Sequence, residues 1–270
     1  MTETTDTIGR LTCLLRAIRP LRVAVSGGVD SMTLGLLAAR TVEDDALICH
    51  AISPAVTREA TERVQRIAAI EGWRLRLLEA GEFANSDYLR NPYDRCFYCK
   101  DSLYRAMADA VGKAGILVSG TNQDDLDDYR PGLIAARHHR VRHPFVECGV
   151  GKSEIRRIAR HLGYPDLAEL PASPCLSSRV QTGLPIQADQ LVFVHRVERR
   201  LQQALQPEVV RCRIQADGIA IQLDRDSLQR LNGAQSRWQS MVTGIAQEHG
   251  LSGSVRFEPY RMGSAFVAPR

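Results

Sequence analysis

The sequence holds no apolar run that could cross a bilayer: stretches such as Ala46-Leu47-Ile48-Cys49 fall far short of the roughly 20 residues a spanning helix needs. The first residues, Met1-Thr2-Glu3-Thr4-Thr5-Asp6, lack the basic-then-apolar order of a signal peptide, so a cytoplasmic location without membrane contact is expected. There is no internal repeat and no low-complexity tract. An excess of one charge is missing too, since a net charge of +4 over 270 residues is too mild to argue for nucleic acid. The cysteines, at 13, 49, 96, 99, 148, 175 and 212, form an odd, scattered set. That argues against a disulfide framework and for a metal or catalytic use of a few of them.

What is present, 44% hydrophobic and 24% charged residues, suits a globular protein with a sizeable core. Leu21-Arg22-Val23-Ala24-Val25 reads as a buried strand, followed by a glycine turn and an apolar helix from Met32 to Ala39. Further strands are expected over Ala46 to Ile52, Arg74 to Leu78 and Ile116 to Ser119. Helices are expected over Thr57 to Ile70, Lys100 to Lys113 and Lys152 to Leu162. Such alternation implies an α/β fold, a parallel sheet with helices on both faces, and puts the site in loops at the strand ends. Gly163 to Pro185, rich in Pro, Ser and Gly, reads as a functional loop or domain junction. Beyond it come a helix from Ala188 to Leu205, strands over Val209 to Ile214 and Ile219 to Leu223, a helical stretch, and a strand near Ser254 to Phe257. Two domains are expected, over 1–180 and, as a small α+β unit, over 181–270.

Ser26-Gly27-Gly28-Val29-Asp30-Ser31 joins the first strand to its helix. The glycines let the backbone approach an anion, and the helix start offers unpaired N–H groups with a favourable dipole. Ser26 and Ser31 add hydroxyls. Asp30 is repelled by phosphates unless Mg²⁺ bridges them, which makes it the candidate magnesium ligand. The Gly-Lys-Ser/Thr ending of a Walker loop is missing, and an ordinary glycine-rich turn is the plainer alternative.

Cys96 and Cys99 stand just before an expected helix, beside Arg95 and Lys100, and Cys175 lies in the Pro-rich loop. Basic neighbours and a helix start favour thiolate. A closed zinc site needs four ligands and no second Cys-x-x-Cys exists, whereas three thiolates suit a 4Fe–4S cluster with one iron open. A redox pair, half of a zinc site completed by Cys148 or His143, and two packed thiols are alternatives at this point. Cys13, Cys49, Cys148 and Cys212 are read as buried small hydrophobes.

The glycine loop resembles the PP-loop signature of enzymes that split ATP into AMP and pyrophosphate, such as GMP and NAD synthetases and tRNA thiolases. This resemblance implies a PP-loop ATP-pyrophosphatase (adenine nucleotide alpha hydrolase-like) fold. It also implies that the ATP site continues at later strand ends, through Ser53 in His50-Ala51-Ile52-Ser53 and through Gly120, Asn122 and Asp125 in Gly120-Thr121-Asn122-Gln123-Asp124-Asp125. Three more stretches narrow the likeness: Asn91-Pro92-Tyr93-Asp94-Arg95-Cys96-Phe97-Tyr98-Cys99-Lys100, the continuation Leu126-Asp127-Asp128-Tyr129-Arg130-Pro131-Gly132, and Pro174-Cys175-Leu176-Ser177-Ser178-Arg179. With them the sequence, from about Leu21 to Gly263, resembles the LarE family of ATP-dependent sulfur transferases, which mature the nickel-pincer nucleotide cofactor of lactate racemase.

That resemblance implies a two-stage reaction on a small nucleotide substrate bearing carboxylates, pyridinium-3,5-biscarboxylic acid mononucleotide. ATP, with Mg²⁺, adenylylates a carboxylate and releases pyrophosphate; sulfur then displaces AMP. In one branch of the family a cysteine matched by Cys175 gives up its own sulfur; in the other, cysteines matched by Cys96, Cys99 and Cys175 bind a 4Fe–4S cluster that relays sulfide from a donor. All three are present, which favours the cluster branch. Arg211 and Arg213 match an arginine pair used around substrate phosphate, and Arg179 either pairs with an anion or braces the loop of Cys175. The family often has an acidic residue where this chain has Gln222, with Asp224 nearby, and Glu198 fits a family position weakly, a salt-bridged helix surface explaining it equally well. The family also assembles as homo-oligomers.

A tRNA thiolase is the nearest rival, supported by Arg137-His138-His139-Arg140-Val141-Arg142-His143, although this run lacks stacking aromatics. An ammonia-dependent amidating synthetase and a nucleotide-sensing module account for the glycine loop but leave the three cysteines without work.

Overall fold

The computed structural model describes residues 3–110, 115–126, 130–231 and 233–261. Asp127, Asp128 and Tyr129 of the nucleotide-loop motif, residues 111–113 of the expected helix, and Gly263 lie outside them. In chain order the elements begin with α1 (Glu3–Ala17), β1 (Leu21–Val25), α2 (Val29–Val42), β2 (Ala46–Ile52), α3 (Arg58–Glu71) and β3 (Arg74–Glu79). There follow α4 (Ser86–Leu89), α5 (Arg95–Ala110), β4 (Ile116–Ser119), α6 (Pro131–His138), α7 (Pro144–Glu147), α8 (Lys152–His161) and α9 (Pro165–Ala168). The chain ends with α10 (Ala188–Leu205), β5 (Val210–Gln215), β6 (Gly218–Leu223), α11 (Arg225–Arg230), α12 (Gln235–Glu248) and β7 (Ser254–Pro259). Among the described residues no helix is long and apolar enough to cross a membrane.

The chain divides into two compact units, Met1–Glu82 with Cys96–Ser173, and Phe83–Arg95 with Pro174–Arg270. The first is built on a four-stranded, all-parallel sheet in the order β3-β2-β1-β4. Strands of such a sheet are covered on both faces, so they read as unbroken apolar runs, and β1 is buried along its whole length. Its side chains alternate. Leu21, Val23 and Val25 join a core with Leu11 and Leu15 of α1, Met32 and Leu36 of α2, and Ile155 and Ile158 of α8. Ala24 faces a second core with Tyr104 and Met107 of α5 and Ala136 of α6. Each fully buried Leu or Ile side chain here stabilises the unit by about 1.5–3 kcal/mol. The α/β, PP-loop-like architecture expected from the sequence is therefore present.

The second unit carries a three-stranded sheet, β5-β6-β7, in which β5 and β6 form an antiparallel hairpin and β7 runs parallel to β6. α10 packs on β5 and α12 on β7, burying Leu191, Val194, Val197 and Leu201 with Cys212, Ile221 and Val242. The segment 83–95 belongs to this unit through Asn91, which is fully buried at φ 54°. Its Nδ2 donates to the carbonyls of Gln181 and Leu184, each at 2.9 Å, and more weakly to that of Val180 at 3.4 Å. Its Oδ1 accepts from Arg95 at 2.8 Å, and Tyr88 Oη meets Ser177 Oγ at 2.5 Å.

Two sequence expectations are corrected here. α5 starts at Arg95, not Lys100, so Cys96 lies in its first turn and Cys99 opens the second. The turn closed by Arg95 N on Pro92 O starts the helix early, across Cys, Phe and Tyr residues of weak helix propensity that hid it from the pattern. Cys13 is exposed and Cys148 half-buried, whereas Cys49 and Cys212 are buried as expected. Cys13 faces away from Leu11 and Leu15, which hold the inward side of α1.

Candidate active site

The glycine loop lies between β1 and α2. Gly28 caps α2 in an extended conformation without any side-chain cap, leaving the first-turn N–H groups without a side-chain acceptor at the cap. Ser31 Oγ sits at the centre of the loop: it accepts from Ser26 N at 3.0 Å, meets Ser26 Oγ at 3.1 Å and donates to Gly28 O at 3.2 Å. Gly27 has φ 85°, and a Cβ there would lie 2.9 Å from the carbonyl of Ala60 on α3. Arg63 of α3 donates to Gly27 O at 2.7 Å. The buried His50 ties the same region together, with Nδ1 at 3.0 Å from Val25 O and Nε2 at 2.9 Å from Thr61 Oγ1. Burial holds this imidazole below its ordinary pKa.

Asp30 stands in the first turn of α2. Its Oδ1 is buried without a hydrogen-bond partner among the described residues, and Lys152 Nζ lies 3.6 Å from Oδ2. Burial raises the Asp30 carboxyl above the usual range, Lys152 opposes the rise, and Asp125 adds to it. An unpartnered buried carboxylate oxygen fits a Mg²⁺ ligand, because a dication would supply the missing partner and offset the burial.

The loop after β4 comes close to this turn: a Cβ on Gly120 would sit 2.7 Å from Ser31 N. Asn122, buried, accepts from Asp124 N at 3.0 Å, while Asp125 Oδ2 accepts from Asn122 N at 3.1 Å, a capping box. Asn122 Nδ2 is buried with no partner among the described residues, and Asp125 pairs with Arg130 at 2.9 Å. Asp124 accepts from Lys152 N at 2.6 Å, which joins this loop to the start of α8. Ser53, past the end of β2, accepts from Ala55 N at 3.1 Å. Thus Ser26, Gly27, Gly28, Asp30, Ser31, Gly120, Asn122 and Asp125 gather at the carboxyl ends of the strands. His50, within the stretch expected to continue the ATP site, joins them, as do Arg63 and Lys152, which sequence patterns did not single out as site residues.

Cys96 and Cys99, both half-buried, belong to the first unit; Cys175, exposed, belongs to the second. Among the described residues no group of three or more His, Cys, Asp or Glu side chains is gathered for a metal. Arg179 fixes the backbone around Cys175: Nη1 donates to Pro174 O at 2.7 Å and Cys175 O at 3.3 Å. Its remaining nitrogens grip Glu198 in a bidentate pair at 2.9 and 3.0 Å. Glu198 also accepts from Cys212 N at 2.8 Å and is buried, so of its two readings the salt-bridged helix surface is replaced by a buried pair. Arg213 donates to Gln222 at 2.7 Å and to Ser178 O at 2.9 Å, and Arg211 stacks over Tyr260. Burial, and then the charge of Arg179, depresses the pKa values of Arg211 and Arg213. With Arg179 neutralised by Glu198, the guanidiniums of Arg211 and Arg213 make this part of the second unit receptive to an anion.

Fold and loop together define a class, that of PP-loop-like α/β proteins. No family model matches the chain. It is 36% identical to an uncharacterized protein of Synechocystis over 77% of this chain and 78% of that protein. A Methanocaldococcus jannaschii protein, also uncharacterized, shares 26% identity over 66% of this chain and 68% of its own length. The pyridinium-3,5-bisthiocarboxylic acid mononucleotide synthase of Lactiplantibacillus plantarum is 28% identical over 79% of this chain and 78% of the synthase. The chain belongs to the family of the Synechocystis protein and is similar to the synthase.

Proposed function

We propose that the chain is an ATP-dependent sulfurtransferase that adenylylates a carboxylate of pyridinium-3,5-biscarboxylic acid mononucleotide and converts it to a thiocarboxylate. The observation that carries this reading is the uncapped start of α2, with the buried, unpartnered Asp30 Oδ1 beside it, in a chain similar to a synthase named for that kind of product. Carboxylates are poor electrophiles, and AMP is the leaving group that makes substitution feasible. In this reading the amides after Gly27 and the hydroxyls of Ser26 and Ser31 hold the departing pyrophosphate. Asp30 would hold Mg²⁺, which supplies neutralising charge, and Lys152 adds a fixed cation next to it. Ser53, Asn122 and Asp125 would hold the nucleoside. Arg211 and Arg213 would receive the substrate's phosphate, while Arg179 positions the loop of Cys175 rather than meeting an anion.

Three thiols, Cys96, Cys99 and Cys175, none of them in a disulfide, are a donor set whose chemistry suits a 4Fe–4S cluster, which when bound would supply an open iron for sulfide. The RNA reading loses support from the basic run. His139 pairs with Asp101 at 2.8 Å, Arg142 with Glu147 at 2.9 Å, and His138 meets Phe97 edge to face. Air-free purification, followed by iron and sulfide analysis and a pyrophosphate-release assay on the biscarboxylated mononucleotide, tests the proposal. Substrate-dependent pyrophosphate without iron would leave the route through the sulfur of Cys175; no pyrophosphate would refute the reading.

A further inference from the structure

One member of the basic run stands apart from a charged turn. Arg142 N donates to Leu117 O at 2.8 Å and Ser119 N to Arg142 O at 3.1 Å, so this stretch lies along β4. The pairing carries His143 to the carboxyl end of β4, among the loops that form the nucleotide site. There its Nδ1 meets Ser119 Oγ at 2.9 Å, and Ser119 Oγ meets Thr121 Oγ1 at 3.1 Å. Its Nε2 makes no hydrogen bond among the described residues.

The charged groups facing the ring are Glu147 from α7, Lys100 from α5 and Asp125 from the loop after β4. Lys100 is one helical turn beyond Cys96 on α5, so the ring has charged neighbours on both the cysteine-bearing helix and the nucleotide loop. Burial keeps the ring below the ordinary histidine pKa; Lys100 adds to this, Glu147 and Asp125 oppose it, and the neutral form prevails at pH 7. A serine hydroxyl both donates and accepts. Ser119 can therefore hold Nδ1–H while Nε2 offers a lone pair, and the same bond survives when Nε2 gains a proton.

We propose that His143 is the base of the sulfur-transfer step, with Nε2 taking the proton of the S–H group that attacks the acyl adenylate; this rests on the sulfurtransferase reading above. The sulfur lone pair forms the C–S bond, the C–O bond to AMP breaks with its electron pair going to the phosphate oxygen, and the S–H proton moves to Nε2. With hydrosulfide as the nucleophile, acyl adenylate and HS⁻ give thiocarboxylate, AMP and one proton, and no oxidant or reductant is consumed.

The test uses the air-free, full-length protein with hydrosulfide as the sulfur probe. It measures thiocarboxylate formation beside substrate-dependent ATP–pyrophosphate exchange, which reads adenylylation alone. In His143→Gln, thiocarboxylate formation at pH 7 should fall by about 10²–10⁴-fold, at least a hundredfold more than exchange. Because hydrosulfide itself takes up a proton in this range, rates are expressed per HS⁻ present; the acidic inflection of the wild-type profile so corrected, expected below about 6.5, should vanish. Ser119→Ala, which keeps the ring, should retain the inflection at a shifted position. Equal losses in both assays, or an inflection kept in His143→Gln, would overturn the role of His143. A wild-type protein inactive in both assays would instead remove the sulfurtransferase reading, and the proposal with it.

Discussion

Replacing Asn91 by alanine should loosen the second unit and spare the first. The side chain donates to two backbone carbonyls at 2.9 Å, reaches a third at 3.4 Å, and accepts from Arg95 at 2.8 Å, all in a fully buried position. A buried polar group left unsatisfied costs about 1–3 kcal/mol, so the loss sums to about 3–5 kcal/mol with partial relaxation. The left-handed backbone at φ 54°, tolerated by Asn, adds about 1 kcal/mol for alanine. The chain has two tryptophans, and they fall one to each unit: Trp73 in the first and Trp238 in the second. Urea unfolding followed by fluorescence in Trp73→Phe and Trp238→Phe backgrounds therefore reads the units separately. Asn91→Ala should lower the stability reported by Trp238 by several kcal/mol and leave that reported by Trp73 nearly unmoved. A Trp238 transition displaced by less than about 1 kcal/mol would refute the argument.

Four further outcomes are expected. Gly27→Ala places a methyl 2.9 Å from Ala60 O at a positive φ, so it should destabilise the first unit by about 1–2 kcal/mol or more and weaken ATP binding at least tenfold, read by calorimetry. Asp30→Asn should cut pyrophosphate release on the order of 10²-fold yet raise the Tm in metal-free neutral buffer, because it removes a buried charge that the fold disfavours. His50 has a folded pKa below its unfolded value. Its contribution to stability is thus complete above about pH 6.5 and is lost as pH falls through the folded pKa; a Tm series from pH 7 to 5 should drop less in His50→Asn. Arg179→Met strands Glu198 and should cost about 3–5 kcal/mol in urea titrations, most of it regained in the double variant Arg179→Met/Glu198→Leu.

The parts legible in the sequence are those with local causes. β1 and β2 announce themselves as short apolar runs bounded by turn residues, and α10 spans the expected Ala188–Leu205 because its inward residues recur at helical spacing. The glycine loop was readable as well, since strand, glycines and helix are contiguous. What the pattern hid depends on distant partners. Asn91 reaches carbonyls about 90 positions away, and nothing in its neighbourhood announces them. The buried pairing of Glu198 with Arg179 looks, in sequence, like any charged helix face. Arg63 and His50 serve the glycine loop from α3 and β2, and His143 reaches Ser119 through a single bridge too short to leave an alternating pattern.

The placement of residues 83–95 has a consequence for how this protein is made and dissected. No single cut of the chain separates the two units, since each is assembled from two stretches interleaved with the other's. A fragment starting at Pro174 lacks the amide that Asn91 provides to Gln181 and Leu184. During synthesis those early residues leave the ribosome well before their partners, so the smaller unit closes only once its late segment has arrived.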